Sequence, residues 1–136
     1  MVLCANWMSD MARRRIWVAF VLAGILSLAG CERGGPPVSF SADVQPVLAQ
    51  YCLDCHRPGN DGYDKSGFGV EDYAALMKGT KFGPVVLPGD SFSSNLIVLV
   101  EGRADPSITM PHEGQRVSEQ EIGILKAWID QGALDN

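Results

Sequence analysis

The sequence predicts an all-α domain with long loops. Two segments place apolar residues at helical spacing, strand-like alternation is scarce, and glycine and proline interrupt most of the chain between them. With 136 residues, 46% hydrophobic and 20% charged, the chain has a globular composition and room for one folded domain rather than two.

Val44, Val47, Leu48, Tyr51 and Cys52 fall on one helical face, entered at Ser41 or Asp43, which puts Pro46 near the first turn, where its missing N–H costs little. Arg57 to Gly69 holds Pro58, Gly59, Gly62, Gly67 and Gly69 and reads as a loop. Glu71 to Lys78 reads as a short helix ended by Gly79, and Pro84 and Pro88-Gly89-Asp90 mark further turns. Leu96 to Val100 suits a buried strand or a helix. Ser94 or Asn95 as a cap and Gly102 as a stop favour the helix. Ser118-Glu119-Gln120-Glu121 is a capping box, after which Ile122, Leu125, Trp128 and Ile129 form one face of a final helix stopped by Gly132.

The first thirty residues differ in kind. Arg13-Arg14-Arg15 precedes an apolar run of 14 residues, Ile16 to Ala29, and then Gly30-Cys31. A membrane-spanning helix needs about 20 apolar residues, so the pattern predicts a secretory signal over residues 1–30 instead. Met11 would itself open an ordinary positively charged signal, and a start there would account for Cys4. Leu28-Ala29-Gly30-Cys31 resembles the bacterial lipoprotein box, which assigns lipidation to Cys31 and places the protein on the periplasmic side of a bacterial membrane, anchored by lipid. Residues 31–38, with Gly34-Gly35-Pro36-Pro37, then read as a tether, and residues 39–136 as the domain.

From Cys31 onward the chain carries eight Lys or Arg and 15 Asp or Glu, a formal charge of −7. Nucleic acid, which needs a basic face, is excluded as a partner, and a redox protein with a basic docking face suits the charge.

Cys52-Leu53-Asp54-Cys55-His56 carries the chemistry. Two cysteines three residues apart can reach the two vinyl groups of one porphyrin, and the following histidine is placed to ligate its iron; this is the c-type haem attachment pattern. A zinc site would need a second ligand pair, whereas past Cys31 the remaining histidine is His112, and a thioredoxin-like pair would need a βαβ pattern. One covalent haem c is therefore the expected cofactor.

The sixth iron position separates a carrier from a haem enzyme. Met77 sits on a short helix and reads as core packing. Met110, in the loop Ser107-Ile108-Thr109-Met110-Pro111, is the expected ligand, with His112 or an open position as alternatives. A thioether favours ferrous iron and raises the potential, whereas a second imidazole leaves it lower.

The order of helix, CxxCH, long loop, Met-Pro and terminal helix resembles class I cytochromes c over roughly residues 39–134. More narrowly, Asp43 to Leu48, Leu87-Pro88-Gly89-Asp90, Met110-Pro111 and Ala127 to Ala133 are similar to the single-haem domain called planctomycete-type cytochrome c. The resemblance implies that the first and last helices cross beside the haem, and it maps the sixth ligand onto Met110. It departs at His112, where that family commonly has a second proline. The function expected is single-electron transfer without catalysis; a haem enzyme with a displaceable ligand and a fixed haem subunit of a larger dehydrogenase are the competing readings.

Overall fold

The computed structural model describes residues 35–136. The expected signal segment 1–30, with Cys4, and the expected lipidation site Cys31 lie outside the described residues. Within them the domain is all-α: a wide helical turn, Phe40–Val44, leads into α1 (Gln45–Tyr51), followed by α2 (Asp61–Ser66), α3 (Tyr73–Lys78), α4 (Asn95–Val100), a short 3-10 turn (Pro106–Ile108) and α5 (Glu119–Asp130). No described helix is long and apolar enough to cross a membrane.

The first helical stretch begins earlier than its apolar face suggests, with Ser39 as the cap, its side chain accepting from the Ala42 N–H at 3.2 Å. Pro46 thereby moves into the second turn, where it has no N–H to give and its ring crowds the carbonyl four residues back. The preceding turn is wound wide, and the Gln45 N–H reaches back to the Phe40 carbonyl. The segment expected to be loop between Arg57 and Gly69 contains α2. Its glycines, which suggested irregular backbone, divide the work: Gly67 ends the helix in the left-handed conformation at φ 75°, whereas Gly62 lies inside it.

α5 matches expectation, with the reciprocal Ser118–Glu121 capping box at its start. Its apolar face meets the first helical stretch: Val44, Leu48, Leu125, Trp128 and Ile129 are all buried in one core. The Phe40 ring lies 5.6 Å from Trp128, near the end of α5, while the Tyr51 hydroxyl donates to Glu121 at its start (2.9 Å). The two elements therefore run in opposite senses, and they meet most closely where Phe40–Val44 lies against α5. Leu76 from α3 and Ile97 from α4 complete the core.

Leu87-Pro88-Gly89-Asp90 ties α4 to α5. The Gly89 N–H donates to the Ile129 carbonyl at 2.7 Å, and Ser91 donates through both its N–H and its hydroxyl to the Asp130 carboxylate. Buried Ser94 donates to the Asp90 carbonyl and accepts from the Leu87 N–H, so its hydroxyl fixes the turn rather than capping α4. Gln131, just past α5, accepts from the Val38 N–H and donates to the Pro36 carbonyl.

Trp128 is the largest of the fully buried side chains, 1% exposed, and its indole N–H donates to the Leu134 carbonyl at 2.9 Å. Trp128→Ala removes the ring and orphans that carbonyl, an expected loss of about 3–5 kcal/mol. Chemical denaturation should show a lower midpoint at unchanged slope.

Candidate haem site

α1 delivers the chain directly into Cys52, whose N–H donates to the Leu48 carbonyl as the helix ends. The next residues coil into a tight turn in which both the Cys55 and the His56 N–H groups donate to the Cys52 carbonyl, at 3.1 and 2.8 Å. Two thiols and an imidazole are thus collected on five residues. Neither cysteine is in a disulfide; Cys52 is half-buried and Cys55 exposed.

Burial, and secondarily the neighbouring Cys55, push the Cys52 thiol up to about 11. A thioredoxin-like nucleophile needs the opposite shift, so the environment disfavours that competing chemistry. Among the described residues no group of three or more His, Cys, Asp or Glu side chains is gathered for a metal ion.

His56 is held on several sides. Its Nδ1 lies 3.3 Å from the Phe68 carbonyl oxygen, and because a carbonyl has no proton to give, the ring must donate. That fixes the tautomer and leaves the Nε2 lone pair free for a metal. The buried Phe68 ring also meets the imidazole edge-on at 5.2 Å. The His56 carbonyl in turn accepts from the Val70 N–H at 3.0 Å.

Burial lowers the His56 pKa below its ordinary value. The Phe68 hydrogen bond opposes the shift and the nearby charge of His112 assists it. A neutral imidazole is the form that ligates iron.

Met110 is half-buried and packs against the edge of the core. Its N–H donates to the Leu99 carbonyl at 3.1 Å, tying the loop to α4, and Thr109 beside it is buried. His112 is exposed, yet close enough to His56 for their charges to oppose one another. Met77 lies half-buried on α3 against the core. The turn brings Cys52, Cys55 and His56 together, while Met110 is positioned separately, from α4.

These residues fit a haem. The donors are two unbridged thiols on one turn, a neutral imidazole with a free Nε2, and a half-buried thioether. Tyr51, Leu53 and Met77 add a fringe of partly covered apolar surface on the core, suited to a large apolar ring. An open groove of about 950 Å³ between the end of α4 and α5, lined by Arg116, Glu119, Ile122 and Lys126 among others, contains none of the four expected haem-binding residues.

Residues 52–114 match the family model described as planctomycete cytochrome C. Over this stretch the chain is similar to a planctomycete-type cytochrome c domain. No curated protein and no solved structure matches the chain. A cytochrome c domain is a haem-binding domain of the electron-transfer type. The matched stretch opens on Cys52 and includes the LPGD turn and Met110-Pro111, leaving α1 and α5 on either side.

Two residues at the heart of this cytochrome c domain escaped sequence reasoning. The Phe68 carbonyl holds the histidine, yet nothing in the residue types singles it out, because any residue has a carbonyl. Gly62 reads in the sequence only as a loop breaker. The structure sets it against the histidine: a Cβ at Gly62 would lie 2.8 Å from the Cys55 carbonyl oxygen and 3.0 Å from His56 Cε1.

Proposed function

We infer that this cytochrome c domain carries single electrons through one haem, bonded to Cys52 and Cys55 and ligated by His56 and Met110. The observation that supports it best is the His56 Nδ1–Phe68 contact, which leaves the Nε2 lone pair free for iron and restrains the ring. When bound, haem supplies an iron that cycles between ferric and ferrous states. The chain's own part would be to hold the iron through His56 and Met110. His56 and Met110 leave no place for a substrate, and that separates a carrier from a haem enzyme.

Cys55 is exposed, so a partner can approach on the Cys55 side of the turn, while Cys52 anchors to the core. The negative charge of −7 beyond the signal favours a redox partner with a basic face. A redox-titrated absorption spectrum of the purified holoprotein tests the assignment. Low-spin ferric iron with a sulfur-to-iron charge-transfer band and a one-electron titration is expected. High-spin ferric iron without that band would replace the carrier with an open-site haem enzyme.

The same proposal places the domain at the periplasmic face of a membrane, tethered through a lipid on Cys31. Cys31→Ser should release the protein into the soluble fraction or leave the signal uncut. Lipid labelling that persists in this variant would reject the anchor.

A further inference from the structure

The residue that most closely constrains the expected iron ligand is a glycine with no chemistry of its own. Gly62 lies within α2, and its φ is not positive, so the backbone there would accept alanine. Alanine is also the better helix former, by intrinsic propensity. What disfavours it is contact. A Cβ at Gly62 would lie 3.0 Å from His56 Cε1 and 3.1 Å from His56 Nδ1, with the Cys55 carbonyl oxygen closer still at 2.8 Å.

The Cys55 carbonyl cannot swing away cheaply, because it accepts from the Tyr63 N–H at 3.0 Å. The ring cannot retreat freely either, because the Phe68 carbonyl and the Phe68 ring hold it from other directions. α2 is itself braced on the far side, where Ser66 donates to the Gly62 carbonyl and accepts from the Phe68 N–H. One short segment, residues 62–68, thus supplies the bare backbone against the imidazole, the hydroxyl that fixes Phe68, and the carbonyl that takes the ring proton.

The geometry points to Gly62 as a positioning residue for His56: its missing side chain lets α2 close on the imidazole, so that Nδ1 stays bonded to Phe68 and the ring keeps one orientation. This rests on the His56 ligation inferred above. The consequence is electronic. An Nδ1–H held by a carbonyl makes the imidazole a stronger donor and favours ferric iron. Gly62→Ala displaces the ring, weakens that bond and should raise the midpoint potential.

Two measurements on the holoprotein test this. In ferrous wild-type protein, which is diamagnetic when both axial positions are filled, a nuclear Overhauser contact between the Gly62 Hα protons and His56 Hε1 is expected. In Gly62→Ala the ferrous-to-ferric ratio at fixed potential should rise, on the order of tenfold, equivalent to about 59 mV for a one-electron couple. The control is Gly123→Ala in α5, where a Cβ meets nothing within 4 Å. It should leave the potential in place. Absence of the Overhauser contact while His56 remains the ligand, or equal potentials for wild type and Gly62→Ala, overturns the assignment. If Gly62→Ala does not mature, the wild-type contact decides alone. A wild-type spectrum without His56 ligation would instead defeat the function proposed above.

Discussion

Replacing Cys52 and Cys55 together by alanine should give a protein that loses its haem on acid extraction or unfolding, with an intact mass equal to the polypeptide alone. The reason lies in what else holds the group. Without thioether bonds retention depends on two axial ligands and on apolar contact with the fringe of Tyr51, Leu53, Met77 and Met110, each only partly covered by protein. Such binding follows mass action, whereas a covalent link does not.

The two cysteines should not contribute equally to the fold. Cys52 ends α1, packs on the core, and its carbonyl accepts the two N–H groups that close the turn. Cys55 is exposed. Alanine preserves the backbone bonds at both positions, so the double variant should keep its helices by far-ultraviolet circular dichroism while melting at a lower temperature. Haem surviving denaturation in this variant would mean that the attachment lies elsewhere.

Much of the fold was legible because its signals are local. The Ser118–Glu121 box specifies the start of α5, and Val44, Leu48, Leu125, Trp128 and Ile129 announce two faces that need one another. Residue type misleads where it serves two ends. Gly62 and Gly67 both suggest broken backbone, yet Gly67 closes α2 and Gly62 sits inside it for the sake of a neighbour 6 residues earlier in the chain, His56. Pro46 indicated a first turn, but the helix tolerates it in the second by widening the turn before it.

The site divides the same way. Cys52, Cys55 and His56 form a contiguous motif. The Phe68 carbonyl belongs to the backbone, which side-chain chemistry does not reveal. The Tyr51 phenol donates to Glu121 and the Trp128 indole to the Leu134 carbonyl, so both polar groups are committed to the fold.

Met110→Ala should leave the haem attached and lower its potential, with loss of the sulfur-to-iron charge-transfer band. Axial ligands tune haem potentials over a range of about 0.8 V, so a fall on the order of 100 mV or more is expected when a soft thioether is removed from ferrous iron. The substitution is well isolated. Met110 anchors its loop through its backbone N–H to Leu99, which alanine retains, and buried Thr109 still holds the adjoining position. What disappears is the sulfur. His112, two residues on, then becomes the nearest competitor in sequence for the vacated position. A low-spin ferric spectrum without the sulfur band would show that it has taken over, and Met110→Ala with His112→Ala should then turn high-spin. Retention of both the band and the potential in the single variant would transfer the ligand role to Met77, the remaining thioether on the core's edge.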